Sequence, residues 1–333
     1  MPAGVPLIYC PVDLPCAVWR ALRRVRPRML VLFEVEFWPN LITQASRRGV
    51  PVVLVNGRMS DRSARGYARH GWFFRGLFSR LRLFCVQSPD DVERVRRVVG
   101  GAVPVFSCNT MKFDQTPDAT ARDRRPLLDE AFGPGPRLVL VAGSTHAGEE
   151  ALVAGAVKAL RAEFPPLRLV LVPRHHERTG EVERVLREAG LSWRLLKPAE
   201  GGGPAPADPV EVLLVNTTGE LMDFYAAADI AYVGKSLAGQ AGGHNIIEPA
   251  IFAKPILHGS HLENFRLVAD VFRAGQATVE VGRDEDFLPA LRALCADPAR
   301  RAELARRARA VVEAGRGAMD RTLDHLYAVV PPR

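Results

Sequence analysis

The sequence predicts an α/β protein built on parallel sheets and divided into two units. Three observations carry this. Strand-like apolar runs alternate with helix-like segments along the chain, the pattern of parallel strands joined by crossover helices. The length, 333 residues, suits two domains. The alternation breaks once, between Thr116 and Pro136, where polar residues, arginines and Pro-Gly clusters read as an interdomain linker plus a short helix. The expected division is a partial N-terminal domain over 1–120, a linker over 121–136, and a C-terminal domain with terminal helices over 137–333.

In the first unit the pattern opens abruptly at Leu7-Ile8-Tyr9, and Met29 to Phe33 reads as a buried strand. Pro39 marks a helix start, where its missing N–H costs nothing. Pro51 to Asn56 is the next strand, Tyr67 to Ser79 a helix, and Leu81 to Gln87 a strand. Pro89 to Val98 is a helix with acids early and arginines late, matching the dipole. Val103 to Cys108 closes the unit. Arg137 to Ala142 restarts the alternation, followed by strands at Arg168 to Val172, Val210 to Val215, Asp229 to Gly234, Pro255 to His258 and Ala277 to Val281. This second unit reads as a complete doubly wound domain. Glu200 to Pro209 is a Gly-, Pro- and Ala-rich surface loop, and Asp284 is an expected N-cap before a mostly helical C-terminus.

Composition narrows the function. Hydrophobic residues make up 47% and charged residues 25%, an ordinary globular balance. The net charge of +8 favours anionic partners, and phosphates above all, because no basic run alternates with aromatics as single-strand nucleic-acid binders require. Five scattered cysteines without a CxxC pair argue against a disulfide framework or zinc site and for a reducing compartment. No DxD pair, HExxH or His/Cys cluster provides metal ligands, so no metal and no cofactor is expected.

The chemistry concentrates at strand-to-helix junctions. Gly242-Gly243-His244-Asn245-Ile246-Ile247-Glu248-Pro249 opens a helix-like run after an apolar strand. Its glycines let backbone approach a ligand, the helix start offers N–H groups to an anion, and Glu248 can accept from sugar hydroxyls; this suggests a nucleotide-sugar site. Arg174, after Val172-Pro173, stands at the carboxyl end of a strand, where its planar fork suits a phosphate. Gly143 to Glu150 is either an anion-binding turn or a helix cap formed by Ser144 or Thr145, with Glu149 early in the helix. Glu220, in Thr217-Thr218-Gly219-Glu220-Leu221, either bonds a ribose or caps its own helix. Glu34 and Glu36 share one face by strand alternation at the end of an apolar strand; one lining an interdomain cleft is the favoured reading. Lys112, before the linker, is a candidate for stabilising charge on a donor carboxylate or departing phosphate.

These segments together resemble the Kdo transferases, which add 3-deoxy-D-manno-oct-2-ulosonic acid to lipid A in lipopolysaccharide biosynthesis. The resemblance runs from about Tyr9 to near the C-terminus and rests on FEVEFWPN, NGRMSDRS, TMKFD, GSTHAGEE, VPRHHER, TTGEL and GGHNIIEP in the family's order. It implies a GT-B fold, two Rossmann-like domains with a cleft between them, and an inverting, metal-independent transfer from CMP-Kdo. By motif, Pro173 and Arg174 would contact the CMP phosphate region, and Thr218, Gly219, Glu220, Asn245, Ile246, Ile247 and Glu248 would line the CMP site. Glu34 and Lys112 would stabilise the transition state. The implied setting is peripheral contact with the cytoplasmic face of the inner membrane, with no nucleic acid.

The front departs from that pattern. The family's membrane-associating segment and the Ser-Val-Gly-Glu-like motif carrying the general base have no counterpart here, so an N-terminally truncated member with an incomplete first sheet is expected. Lys235 stands where a glycine is usual, and Asn109 where glycine often precedes the lysine motif. Two alternatives follow: an inactive nucleotide-binding fragment, and a GT-B enzyme with a UDP-sugar donor.

Overall fold

The structure, a computed structural model, describes residues 6–114, 121–197 and 208–331. Most of the Glu200 to Pro209 loop and the start of the expected linker lie outside these residues. The chain separates into two units: the described residues up to Asp114 group with those from Gly315 onward, and those from 121 to Ala314 form the second.

The first unit comprises α1 (Pro15–Val25), β1 (Leu30–Phe33), α2 (Pro39–Arg47), β2 (Val52–Gly57), α3 (Asp61–Arg69), α4 (Gly71–Phe78), β3 (Leu83–Val86), α5 (Pro89–Val99) and β4 (Val105–Ser107). Its four strands form a parallel sheet in the order β1-β2-β3-β4. Val52 to Val55 and Leu83 to Val86 are buried on both faces, which explains their continuous apolar runs. Ser88 caps α5 by accepting from the Asp91 amide at 3.1 Å.

Three expectations for this unit need correction. β1 is an edge strand, and Val31 (44%) and Phe33 (47%) are exposed; only Leu32 is buried. Leu7-Ile8-Tyr9 forms no strand, and regular structure begins with α1. The helix expected from Tyr67 to Ser79 is two, meeting at His70. The His70 amide donates to Gly66 and its carbonyl accepts from Phe74, so helix-type bonds flank the corner and hide it from sequence periodicity.

The second unit comprises α6 (Arg125–Phe132), β5 (Leu138–Thr145), α7 (Glu149–Leu160), β6 (Leu167–Pro173), α8 (Thr179–Glu188), β7 (Trp193–Leu195), β8 (Val212–Leu214), α9 (Leu221–Ala227), β9 (Ile230–Val233), α10 (Ile247–Ile251), β10 (Ile256–Gly259), α11 (Arg266–Ala274), β11 (Val279–Val281), α12 (Phe287–Ala296) and most of α13 (Pro298–Gly315). Seven parallel strands run in the order β11-β10-β9-β5-β6-β8-β7. The strand order reverses between β5 and β9, the place where open α/β sheets bind ligands. The three-residue edge strand β7 had no sequence signal. Asp284 does not cap α12 but sits in a short 3₁₀ turn, where its carboxylate accepts from the Ala238 amide at 2.8 Å.

The last helix, α14 (Ala318–Val329), belongs to the first unit, whereas the sequence had assigned everything from 137 to 333 to the second. Asp114 explains the return: its carboxylate accepts from the Gly317 and Met319 amides at 2.6 Å each, capping α14. Leu326 joins a buried cluster with Val53, Val55, Leu83, Cys85 and Cys108. Cys85, Cys108 and Cys295 are buried and act as small core residues.

Candidate functional site

In the second unit the loops after β5, β6, β8 and β9 carry most of the residues singled out by sequence. Arg174 follows β6; its amide donates to the Thr145 carbonyl at 3.0 Å, which holds its backbone beside the end of β5 and leaves the side chain exposed. After β9, Gly242 (φ 104°) and Gly243 (φ 65°) take left-handed backbone, and a Cβ on Gly243 would lie 3.0 Å from the His261 carbonyl oxygen. The Asn245 side chain accepts from the Ile247 amide at 3.2 Å and donates to Glu248 at 3.5 Å, organising the entry to α10. Burial raises the Glu248 pKa, partly offset by Asn245 and by the charge of Arg174, which brings Glu248 and Arg174 into one electrostatic neighbourhood.

Thr218 and Gly219 are exposed in the β8–α9 turn, with Gly219 at φ 85°. Glu220 makes no cap bond to α9. It accepts from the Thr217 hydroxyl at 2.6 Å and lies 3.5 Å from Arg124, which also pairs with Asp223 at 2.8 Å. Pro173 ends β6, and Ile246 and Ile247 are buried beneath the loop.

The β5–α7 loop resolves differently from the cap expected there. Ser144 adopts left-handed φ (54°), Thr145 lies within β5, and Gly148 precedes α7 without a side-chain cap. The organising group is Glu149. Wholly buried, it accepts from the His146, Lys235, Ser236 and Leu237 amides and from the Tyr232 hydroxyl. One carboxylate thereby ties the loop after β5 to the loop after β9. Sequence reasoning placed Glu149 in the helix but not this role, because the adjacency of β5 and β9 is a property of topology. His146 and His244 also meet there, ring nitrogen to ring nitrogen at 2.9 Å.

The first unit gathers a second set at the carboxyl ends of its strands. Glu34 is not the last residue of an extended strand: β1 stops at Phe33, and Glu34 turns through φ 57°. The expected shared face of Glu34 and Glu36 is therefore lost, and Glu36 instead accepts from the Trp38 indole at 2.8 Å. Asn56, buried and left-handed (φ 49°), donates to Glu34 at 3.5 Å and accepts from the Met111 amide at 3.1 Å. It links the Glu34 turn to the Lys112 turn. Burial lowers the Lys112 pKa, Glu34 counters this, and Arg58 adds to it. Asn56 and Arg58 lie in the NGRMSDRS run, but only the folded turn gives them a role. Asn109 (φ 69°) and Lys235 (φ 62°), both at positions where the family's glycine was expected, take left-handed backbone, the physical reason for glycine there.

Among the described residues no group of three or more His, Cys, Asp or Glu is arranged to hold a metal ion, and no helix is long and apolar enough to cross a membrane.

Residues 1–115 match the family described as 3-Deoxy-D-manno-octulosonic-acid transferase (kdotransferase). A 3-deoxy-D-manno-octulosonic acid transferase of Bordetella pertussis is 38% identical over 328 residues, covering 96% of this chain and 73% of the relative. Among solved structures, the C-terminal CMP-Kdo binding domain of WaaA from Acinetobacter baumannii is 28% identical, covering 56% of this chain and 95% of that one, with a TM-score of 0.50. S. aureus MnaA, solved with UDP, is 13% identical and covers 96% of this chain and 80% of that one, with a TM-score of 0.55; this likeness speaks to the fold alone, a GT-B type with Rossmann-like units. From the motif-bearing loops, the parallel sheet in each unit and these relatives together, the chain belongs to the Kdo transferase family of glycosyltransferases in lipopolysaccharide biosynthesis.

Proposed function

We propose that this chain transfers Kdo from CMP-Kdo to a hydroxyl of a lipid A precursor, inverting the anomeric centre without a metal ion. The observation that carries the reading is the grouping of Arg174, Glu248 and the loop ends around the strand reversal of the second unit, in the part of the chain similar to the A. baumannii CMP-Kdo binding domain. In the reaction the acceptor oxygen bonds to the anomeric carbon as its bond to the phosphate oxygen breaks. The electron pair leaves with CMP, and the acceptor proton passes to a base or to water. Arg174 would hold the phosphate in its guanidinium fork, with Pro173 fixing the backbone beside it. Thr218, Gly219 and Glu220 would line the nucleotide site, and Asn245 through Glu248 would receive the ribose. Glu34 and Lys112 would balance charge in the oxocarbenium-like transition state.

The reading is tested by assaying this chain with CMP-Kdo and tetraacyl lipid A, alongside calorimetry with CMP. Transfer supports it. CMP binding without transfer leaves the nucleotide site and rejects the activity, and transfer from a UDP-sugar instead rejects the donor. Arg174→Ala should weaken CMP binding by about 1.5–3 kcal/mol, roughly 10- to 150-fold, the range for a hydrogen-bonded charge. Unchanged affinity removes its role.

The proposed setting is peripheral contact with the anionic cytoplasmic leaflet. Its support is a surface on α3 and α4. Arg62, Arg65 and Arg69 share one exposed face of α3, and Trp72 (84% exposed) and Phe73 follow at the start of α4. From residue 62 to 89 the sequence has six arginines and no acid. Interfacial aromatics with a basic collar suit anionic lipid, each cation contributing about 1 kcal/mol. Vesicles containing phosphatidylglycerol should sediment the wild type but bind Trp72→Ala/Phe73→Ala several-fold less; equal binding by both, or equal binding to uncharged vesicles, rejects this surface.

A further inference from the structure

We propose that His146 and His244 form a proton-accepting pair that makes an additional anion contact in the second unit, so that a phosphate or carboxylate bound there draws a proton from solvent onto the pair. It rests on the reading that the donor's anionic groups lie at the Arg174 end of this unit.

The geometry carries the argument. The two rings are near parallel (19°), with centroids 5.2 Å apart and Nε2 facing Nε2 at 2.9 Å. Two facing ring nitrogens can hold one proton between them, so one imidazole donates and the other accepts. The His175 ring stands edge-on to His146 with centroids 5.7 Å apart. The pair bridges the loops after β5 and β9, the two strands at which the sheet order reverses.

The charged groups around the pair are mostly cationic. Lys235 comes from the end of β9, Arg174 and His175 from the end of β6, and Arg178 from the turn before α8. On the opposing side, Glu149 of α7 is committed to five donors, Arg178 is paired with Glu150 and Glu181, and Glu248 of α10 faces Arg174. Burial, then His146 and these cations, push His244 down to about 4; burial also lowers His146, with Glu149 opposing and Lys235, His175 and Arg178 adding to the shift. The resting pair is therefore neutral near pH 7. An anion held by Arg174 and Lys235 reverses the sign of the local potential, and an opposite charge within about 4–6 Å favours the charged imidazole. The added proton goes to the outer Nδ1 of the ring whose Nε2–H is already shared, so the bond between the rings survives.

By linkage, a pKa raised on binding makes affinity increase as pH falls through the bound-state pKa and level off below the free one. If the anion raises His244 by about 2–3 units from about 4, about 0.5–0.9 proton is taken up per ligand at pH 6.

The experiment is calorimetry at pH 6 in two buffers of different ionisation enthalpy. The probes are the methyl diester of CMP, which does not titrate near neutrality, free Kdo, which offers only the carboxylate, and cytidine, which offers neither anion. Uptake with the diester assigns the pair to the phosphate, uptake with Kdo assigns it to the carboxylate, and cytidine should give none. His244→Gln and His146→Gln, which keep a hydrogen-bonding side chain without the titration, should abolish the uptake. Uptake below about 0.1 proton with both anions, or uptake unchanged in both variants, overturns the proposal. Should the variants unfold, wild-type NMR decides instead: ligand must move a histidine Cε1–H resonance of the pair towards the imidazolium position, and static resonances overturn it. Failure of the diester and CMP to bind at all overturns the nucleotide reading and this inference with it, whereas binding without uptake overturns the inference alone.

Discussion

Replacing Glu149 with glutamine probes the device that holds the donor-side loops. Its Oε1 accepts from the Tyr232 hydroxyl (2.6 Å) and the Ser236 (3.0 Å) and Leu237 (3.2 Å) amides, and its Oε2 from the His146 (2.9 Å) and Lys235 (2.7 Å) amides. Glutamine has one oxygen to offer. Whichever way the amide is turned, its NH₂ meets two backbone N–H donors, the buried Ser236 and Leu237 amides or the part-buried His146 and Lys235 amides. Losing two hydrogen bonds to a charged acceptor costs about 1.5–3 kcal/mol each. Relaxation of the loops recovers part of this, so the expected loss is about 3–5 kcal/mol. At about 2–4 °C per kcal/mol for a unit of this size, Tm falls by roughly 6–20 °C. Urea and thermal unfolding measure the loss, and hydrogen exchange at the Lys235 to Leu237 amides localises it. A loss under about 1 kcal/mol with unchanged protection would refute the idea that one buried carboxylate fixes both loops.

Two further perturbations test the backbone and the first unit. Lys235→Gly should relieve about 1–2 kcal/mol of left-handed strain, less about 0.5–1 kcal/mol for the added freedom of the unfolded chain, giving an equal or slightly higher urea midpoint; a clear drop contradicts the strain. Lys112 has a depressed pKa, so its ammonium loses charge at lower pH than an exposed lysine, and the alkaline limb of kcat/KM should report that loss. Lys112→Arg should move the limb upward because guanidinium stays charged, while Lys112→Met should cost about 10²-fold or more; an unmoved limb in Lys112→Arg removes Lys112 from the rate profile.

Much of this fold was legible because buried parallel strands write themselves as unbroken apolar runs. Val139 to Ala142, Leu169 to Val172 and Ile230 to Val233 are all fully or almost fully buried, and each was readable as a strand. What failed lay at edges and corners. β1 and β7 are short and part-exposed, so packing rather than pattern decides them. Arg174 was legible as a site candidate from its place after a strand. The meeting of His146 with His244 was not, since 98 residues separate them and their strands are neighbours only through the topology. Glu34 was readable as a candidate, but its orientation was not, because the chain leaves extended geometry at that residue.

The return of α14 bears on how the molecule is made. Asp114 waits for the Gly317 and Met319 amides, and the cluster around Val53 and Cys85 waits for Leu326. On the ribosome, the stretch ahead of the second unit cannot complete its packing until residues beyond that unit are translated, whereas the intervening stretch holds every strand of its own sheet. The unit that brackets the other in sequence closes after it.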